Sequence, residues 1–493
     1  MRDIGIVLSH QDSPSTQKFY MIVNDLNIKK GMYVLAKPSN VLGFISEIFR
    51  SNRYFENFES ISSVDDVDAI IKNFPVDKWD VTVAEVNIVG KIVDNRLDRH
   101  AFPPKPGSKV YIADDSVLFN FFGFDENGLD LGLVKHHSLH AKFNLSRLLQ
   151  KHLAILAMSG AGKSNAATVL MEELIKRKKE QGRIAIVVID IHGEYAPMAD
   201  VFTNVRVFNA KNLCMSLKRF DIHDVKELFD ITDVQEAYLK RALDGIKSIR
   251  GASLNDLKSA LDSMDIKQST MNALERVISK IEENKIVCSA DNPSIKSIVK
   301  PGQLVIFDFS SILDNEARHF KAYYILKTMF ALRRNGEIPP YVVFVEEAHN
   351  LAPEQAKSKK APAKRQIELI AREGRKFGAS LVLITQRPSH LSQTALSQCN
   401  THMLLRMTNP NDLQYINSSV ESVSSSIVKM IPGLNVGEAI VVGEASNAPV
   451  FIQIREKDER IKGKSTNLEA IAKEWEENSI VSKADSSALE SYV

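Results

Sequence analysis

Short apolar stretches rich in β-branched residues, separated by polar or Gly/Pro-containing breaks, fill the N-terminal part of the chain. Stretches of this length and spacing predict several short β-strands that form a small barrel. The predicted strands are "IGIVLS", "FYMIVN", "MYVLAK", "VLGFISEI", "VTVAEVNIVGKIV" and "KVYIAD". A helical pattern at residues 63–74 interrupts them. No catalytic cluster stands out here, which favours an assembly or clamp module.

From about Ser146 the pattern changes to unbroken apolar runs separated by helical segments. Such runs are typical of parallel strands that are buried on both faces. The predicted strands are "HLAILA", "IAIVVID", "LVIFDFS", "YVVFVEE" and "SLVLITQ". Between the second and third runs, apolar spacing near 3.6 with Ser or Asp at N-cap positions predicts an insertion of about four helices. The polar C-terminal tail contains one amphipathic helical pattern, residues 467–478.

These patterns predict a multidomain α/β protein, as the length of 493 residues also suggests. The predicted units are an N-terminal β-barrel (1–135), a parallel-sheet core (136–211 and 301–462), a helical insertion (212–300) and a C-terminal helix with a polar tail (463–493).

Composition narrows the class of protein. The chain is 44% hydrophobic and 25% charged, as in ordinary soluble proteins, and a net charge of +2 means that any polyanion site must be local. Cys214, Cys288 and Cys399 are widely spaced without a C-x-x-C pattern, so we expect neither a disulfide framework nor a zinc site. The N-terminus lacks a signal-peptide pattern and every apolar run is far shorter than the roughly 18 residues of a membrane span. We therefore expect a soluble cytoplasmic protein with no membrane contact.

The segment "LAILAMSGAGKS" carries the strongest single motif. A strand leads into G-x-x-x-x-G-K-[ST], with Gly162, Lys163 and Ser164 in place and Ala157 at the first glycine position. Gly160 and Gly162 free the backbone to direct N–H groups at phosphate oxygens, where the following helix adds positive potential. Lys163 is predicted to bridge the β- and γ-phosphates, and Ser164 to ligate magnesium. The predicted nucleotide-binding residues are Ser159, Gly160, Ala161, Gly162, Lys163, Ser164 and Asn165.

Polar residues follow the other predicted strands at the end where ligands gather in parallel sheets. Adjacent carboxylates at a strand end can serve a metal and a water, and we assign Glu346 to magnesium and Glu347 to the attacking water. Gln386, after "SLVLIT", is predicted to sense the γ-phosphate, with an amide that caps the strand end as the alternative. The "VVIDIHGEY" strand end adds Asp190, His192 and Glu194. These three either tune hydrolysis or shape a loop.

Two groups of cations are candidates for anion contacts. Arg372 and Arg375 lie three residues apart on one helix face, where either is a candidate finger for a neighbouring subunit's γ-phosphate or an ordinary surface residue. Five more cations fall within nine acid-free residues: Lys357, Lys359, Lys360, Lys364 and Arg365. This lysine loop either binds DNA phosphates without reading sequence or is a solvated loop.

The motifs, in their order, resemble the HerA–FtsK superfamily and in particular archaeal-type HerA helicases. They are "HLAILAMSGAGKS", "DIHGEY", "FVEEAHNLAP", "AREGRKFGASLVLITQRPS", "NPNDLQYI" and "IPGLNVGEAIVVGEASNAPVFIQI". The last resembles the closing strand pair of that family's core. The resemblance implies a RecA-like ATPase core in a hexameric ring around double-stranded DNA. It also implies a NurA-type nuclease that docks on the N-terminal barrel (the family's HAS-barrel) for DNA end resection in double-strand-break repair.

The resemblance also implies an activity and a set of residues. The activity is that of an ATP-dependent, magnesium-dependent DNA helicase or translocase. The residues that match the family's nucleotide roles are Lys163, Ser164, Glu346, Glu347, Gln386 and one of Arg372 or Arg375. Lys151, just before the phosphate-loop strand, is implied to approach a nucleotide across the subunit boundary. Two alternatives remain: an ATPase of the type IV secretion branch that moves protein or protein–DNA substrates, and a nucleotide-gated scaffold.

Overall fold

The predicted multidomain α/β architecture is confirmed. The computed structural model describes residues 3–10, 12–52, 80–93, 96–98, 102–355, 361–461, 468–469, 472–473 and 475–476. Its strands form a seven-stranded sheet, an eleven-stranded sheet and a two-stranded sheet. The helix predicted over 63–74 lies outside the described residues, and the helix predicted over 467–478 lies largely outside them.

The N-terminal sheet is a closed antiparallel barrel. Its strands are β1 (Asp3–Val7), β2 (Lys18–Val23), β3 (Tyr33–Lys37), β4 (Val41–Asn52), β5 (Asp80–Val93), β6 (Arg96–Asp98) and β7 (Lys109–Ile112). The order is β2-β1-β7-β3-β4-β5-β6, and pairing of β2 with β5 closes the ring. Strand β2 alternates buried and half-buried residues, as a strand between a barrel interior and solvent must. All six strands predicted from the sequence form.

The eleven-stranded sheet is the centre of the molecule. Its strands are β8 (Leu129–Val134), β9 (His140–Phe143), β10 (Leu153–Leu156), β11 (Ala185–Asp190), β12 (Val205–Asn209), β15 (Leu304–Asp308), β16 (Tyr341–Val345), β17 (Ala379–Thr385), β18 (Thr401–Leu405), β19 (Glu438–Gly443) and β20 (Val450–Ile454). The order is β12-β15-β11-β16-β17-β10-β18-β19-β20-β8-β9. The first seven strands in this order are parallel, and the remaining four are antiparallel.

The five strands predicted for the core all lie in the parallel part, and two further strands join them. Every residue of β10, β11, β16 and β17 is buried, which explains their unbroken apolar sequences. The sequence analysis missed the edge strand β12, which is mostly exposed, and the short strand β18. Register aligns the carboxyl ends of β10, β11, β16 and β17 at one edge of the sheet.

The barrel packs directly against the large sheet. Strand β8 lies within the range 1–135 predicted for the barrel, but it pairs with β20 and belongs to the large sheet. The hydroxyl of the buried Tyr33, on β3, donates a 2.6 Å hydrogen bond to the carbonyl of Pro449 before β20. The sequence pattern does not mark this boundary, because β8 is an apolar strand like those of the barrel.

Most of the helices connect strands of the large sheet, and several of them lie together in the segment between β12 and β15. They are α1 (Asp115–Phe122), α2 (Leu145–Leu149), α3 (Lys163–Lys176), α4 (Met198–Val201), α5 (Ile222–Leu228), α6 (Asp233–Ile246), α7 (Leu254–Asp262), α8 (Gln268–Glu283), α9 (Ile295–Ile298), α10 (Asn315–Arg334), α11 (Ala348–Leu351), α12 (Pro362–Glu373), α13 (Gln393–Ser397), α14 (Pro410–Ser419) and α15 (Ser425–Met430). Helices α5 to α9 lie within residues 212–300, where the sequence predicts an insertion of about four helices. Among the described residues, no helix combines the length and apolarity needed to cross a membrane.

The expectation that the cysteines do not form disulfides is wrong for one pair. Cys214 and Cys288 are bonded, with a sequence separation of 74 and 5.8 Å between their Cα atoms. The short strands β13 (Met215–Ser216) and β14 (Val287–Cys288) pair in parallel at the base of the insertion and bring the two cysteines together. Sequence spacing reports nothing about this pairing, because tertiary contacts create it. Cys399 is free and buried.

Candidate functional site

The phosphate loop connects β10 to α3 with an open backbone. Gly160 and Gly162 have φ of 75° and 99°, in the left-handed region that favours glycine. The backbone N–H groups of Ser159, Gly160 and Gly162 donate to no residue that the structure describes. Ala157 instead continues the strand, since its N–H donates a 3.2 Å bond to the Thr385 carbonyl. Alanine therefore fits the first glycine position, and the unused N–H groups form a cradle for an anion.

The two polar side chains that follow this loop, those of Lys163 and Ser164, each contact a carboxylate. Lys163, the first residue of α3, forms an ion pair with Glu347, and both side chains are largely buried. The Ser164 hydroxyl donates to the exposed carboxylate of Glu194. An anionic phosphate and its metal have the chemistry to replace these two carboxylates.

Asn165 has a different set of contacts. Its amide donates a 2.9 Å bond to the Arg455 carbonyl and accepts a 3.0 Å bond from the Lys457 N–H. The guanidinium of Arg455 in turn pairs with the fully buried Glu172 and with Glu173 on α3. The side chain of Asn165 thus fastens α3 to the segment after β20.

Glu346 and Asp190 form a buried carboxyl pair at the ends of β16 and β11. Burial raises the pKa of Glu346 well above its ordinary value, and the neighbouring Asp190 carboxylate raises it further. Burial likewise raises the pKa of Asp190, against the opposing effect of its hydrogen bond with Glu346. One oxygen of Glu346 accepts a 3.1 Å bond from the His192 N–H, while Oε1 is buried without a partner among the described residues.

Asp190 also shapes the loop that carries Glu194. Its two carboxylate oxygens accept hydrogen bonds of 2.8–3.1 Å from the N–H groups of Gly193, Glu194 and Tyr195. The Tyr195 hydroxyl is buried and has no described partner. Burial raises its pKa well above the ordinary value, and the charge of Glu346 adds to the effect. Asp190 is therefore a loop-shaping residue, one of the two roles predicted for it.

Glu347 has an unusual backbone. Its φ of 42° and ψ of 50° place a non-glycine residue in the left-handed region, a conformation that costs about 1–3 kcal/mol and occurs often at functional sites. The turn directs its carboxylate to Lys163, while the other carboxylate oxygen lies 3.3 Å from Nδ1 of His349. Glu346 and Glu347 thus diverge, one towards Asp190 and the other towards the phosphate loop.

Gln386 follows β17 beside the phosphate loop. Thr385 pairs with Leu156, so the next residues along the two strands, Gln386 and Ala157, are neighbours. The Thr385 hydroxyl lies 2.9 Å from Nδ1 of His349 and accepts a 3.0 Å bond from the Arg387 N–H. Sequence reasoning missed His349 and Thr385, although His349 stands only two residues after Glu347.

Lys151, Arg372 and Arg375 lie at the opposite edge of the sheet. Lys151 precedes β10 by two residues, and the whole strand, roughly 13 Å long at about 3.3 Å per residue, separates it from Ala157. It pairs with Glu444, which also accepts a 3.0 Å bond from the Asn400 amide. Burial alone would raise the pKa of Glu444, but Lys151, Asn400 and the charge of Arg375 lower it below the ordinary value.

Both arginines are exposed just before β17. These three cations are therefore remote from the phosphate loop of their own chain.

The lysine loop is only partly described. Lys357, Lys359 and Lys360 lie outside the described residues. Lys364 and Arg365 lie in the first turn of α12, where Lys364 donates a 3.0 Å bond to the Glu354 carbonyl and Arg365 pairs with Glu227 of the insertion.

Comparison with known proteins agrees with this geometry. Residues 129–329 match the family described as "Helicase HerA, central domain". A probable helicase of Methanocaldococcus jannaschii is 29% identical over 92% of this chain and 90% of its own length. The DNA double-strand break repair helicase HerA of Pyrococcus furiosus is 26% identical over 92% of both chains. Over most of its length, the chain is similar to HerA helicases.

The fold of the chain is also found in more distant proteins. The structure of VirB4 from Thermoanaerobacter pseudethanolicus superposes with a TM-score of 0.51 at 18% identity, over 69% of this chain and 99% of that one. This likeness concerns the fold alone. In the chain described here, Lys163, Glu347 and Gln386 lie at one sheet edge and the three remote cations lie at the other.

Proposed function

We propose that the chain is a ring-forming ATPase that uses ATP hydrolysis to move or unwind double-stranded DNA. The observation that carries the proposal is that Lys163 pairs with Glu347 at the carboxyl edge of the parallel sheet, where Gln386 follows the neighbouring strand. A nucleotide-gated scaffold has no need of a carboxylate placed to activate water. The relatives named as DNA double-strand break repair helicases support DNA as the substrate.

ATP would lie in the cradle formed by residues 159–164. Lys163 would leave Glu347 for the β- and γ-phosphates, and Glu347 would then accept a proton from the attacking water. Gln386 would orient that water from the neighbouring strand.

Magnesium in such sites takes one or two protein ligands together with phosphate oxygens and waters. Ser164 and Glu346 fit this requirement, because Glu346 has a buried carboxylate oxygen without a described partner. Bound there, magnesium would neutralise charge on the phosphates.

A ring, a hexamer by the family resemblance, gives the remote cations a role. A heterologous interface in a closed ring places one edge of each subunit against the opposite edge of its neighbour. Lys151 and one of Arg372 or Arg375 would then approach the neighbour's phosphates and stabilise the charge of the transition state. The exposure of the two arginines, and the distance of all three cations from their own phosphate loop, support action between subunits.

DNA and a nuclease complete the proposal. The lysine loop follows the strand of Glu346 and Glu347, so that a change at the γ-phosphate can reach it. Its cations would bind DNA phosphates inside the ring. The barrel would serve as a platform for a NurA-type nuclease in end resection for double-strand-break repair, as the family resemblance implies.

The test is the rate of ATP hydrolysis by the purified protein with and without linear duplex DNA, at low and high salt. We expect DNA to stimulate hydrolysis at low salt, and the stimulation to fall steeply as salt rises. Glu347→Gln should lose at least roughly 100-fold in kcat while still binding ATP. Hydrolysis that is indifferent to DNA would contradict the DNA-translocase proposal.

A further inference from the structure

His349 stands between Glu347 and the strand that carries Gln386. Its Nδ1 lies 2.9 Å from the Thr385 hydroxyl and 3.3 Å from Oε2 of Glu347. The Glu347 oxygen is buried, and no described residue makes a well-aligned hydrogen bond to it. One imidazole nitrogen therefore faces two oxygens, of which only the hydroxyl is within good hydrogen-bonding distance.

The chemistry of the partners defines the role of this nitrogen. An ionised carboxylate only accepts hydrogen bonds, so Nδ1 must carry the proton in order to interact favourably with Glu347. Burial lowers the pKa of His349 below its ordinary value, although the charge of Glu347 opposes this. A neutral ring with a single N–H at Nδ1 agrees with both neighbours.

We propose that His349 is a positioning residue that holds the Glu347 carboxylate in place once Lys163 has moved to the phosphates. Without nucleotide, Lys163 neutralises Glu347 and the His349 N–H bonds to Thr385. When Lys163 leaves, Glu347 becomes an unpaired buried carboxylate, and the Nδ1–H of His349 is the nearest described donor for it. A shift of a few tenths of an ångström is enough to form that bond.

Thr385 has the complementary role of holding the imidazole ring of His349 in its orientation. It is fully buried, and its backbone carbonyl accepts from Ala157 at the start of the phosphate loop. The residue after it is Gln386. The His349–Thr385 contact thus joins the water-activating carboxylate to the strand of the predicted γ-phosphate sensor. This inference rests on the proposed ATPase function and adds two residues to it.

The test compares kcat and KM for ATP across variants that differ in donor position. The amide nitrogen of asparagine comes close to the place of Nδ1, whereas that of glutamine comes close to Nε2. We expect His349→Ala to lower kcat by about 10- to 100-fold with KM changed less than about threefold, the usual cost of losing a residue that orients a catalytic group. His349→Asn should recover most of kcat, and His349→Gln should not.

Thr385 supplies the second arm of the test. Thr385→Val should lower kcat and Thr385→Ser should not. The double variant His349→Ala/Thr385→Val should be no slower than His349→Ala alone, because coupled residues are not additive. His390→Asn, at an exposed histidine of the adjacent segment, is the matched control and should behave like the wild type.

Three outcomes would overturn the inference. The first is a wild-type kcat in His349→Ala. The second is that His349→Asn and His349→Gln recover kcat equally. The third is that the kcat losses of the two single variants multiply in the double variant. A thermal unfolding midpoint near that of the wild type for His349→Asn shows that a kcat effect is not a folding defect. If the wild type itself does not hydrolyse ATP, the proposed function fails instead, so the two failures are distinguishable.

Discussion

At the scale of single residues, backbone conformation separates positions that look alike in the sequence. Gly160 and Gly162 both belong to the phosphate loop and both have left-handed φ. A Cβ added at Gly160 would meet nothing within 4 Å, whereas one added at Gly162 would lie 3.2 Å from the backbone nitrogen of Gly437 and 3.3 Å from its Cα. Of the two glycines, only Gly162 thus lies close to another part of the backbone.

We expect Gly162→Ala to be the more destabilising of the two substitutions. Each alanine costs about 1–2 kcal/mol for its left-handed conformation, and only Gly162→Ala adds a contact with a backbone that cannot rotate away. The thermal unfolding midpoints of the two variants, measured side by side without nucleotide, test this. A lower midpoint for Gly160→Ala would contradict the expectation.

At the scale of elements, the insertion between β12 and β15 is closed at its base. Strands β13 and β14 pair there, and the Cys214–Cys288 disulfide joins them. The buried Lys321 of α10 also donates to the Leu213 and Lys285 carbonyls on either side of the base. Burial lowers the pKa of this lysine to about 8. These contacts close the base of the segment that carries the four helices α5 to α8.

Reduction of the disulfide should destabilise the insertion. The disulfide joins residues with a sequence separation of 74. In the chain-entropy description, opening a loop of this size lowers the free energy of unfolding by about 4 kcal/mol. Thermal unfolding with and without reductant measures the change, and we expect a lower midpoint in reductant. A Cys214→Ser/Cys288→Ser variant is the control, because it should match the reduced protein and respond no further. An unchanged wild-type midpoint in reductant would show that the bond contributes little.

At the scale of the whole molecule, the two edges of the parallel sheet have separate chemistry. The carboxyl edge holds the phosphate loop and Glu347, and the amino edge holds Lys151 beside Glu444. The Lys151–Glu444 pair is partly exposed, with side-chain exposures of 26% and 43%. Pairs of this kind contribute roughly 0–1 kcal/mol, so in the proposed ring a neighbour's phosphate would displace Glu444 readily.

Mixed rings test whether the amino edge acts on a neighbouring subunit. Lys163→Ala chains lack a working phosphate loop, and Arg372→Ala/Arg375→Ala chains lack the arginines, so each alone should be nearly inactive. Co-expressed with two affinity tags and purified through both, they should regain roughly a quarter of wild-type hydrolysis, since random assembly restores that share of the interfaces.

The control for this experiment is a chain with all three substitutions, paired with Lys163→Ala. It should stay inactive. Mixed rings as inactive as their components would contradict action between subunits.

The phosphate loop and the main strands were predictable because contiguous residues encode them. Glycines at fixed spacing, a lysine at the helix start and unbroken apolar runs are local features, and parallel strands place their carboxyl ends at one edge whatever their order. Strand order is not local. It decided that Asp190 and Glu346 share a buried site, that β8 joins the large sheet and that Thr385 reaches His349.

The tertiary structure alone also joined Cys214 to Cys288 and placed Lys151 beside Glu444. Each of these pairs unites residues far apart in the chain, so no spacing rule reports on them. The sequence by itself determined which chemical groups stand at the ends of the strands. Only packing of the strands in space decided which of those groups meet, because a contact between distant residues depends on the order and direction of every element between them.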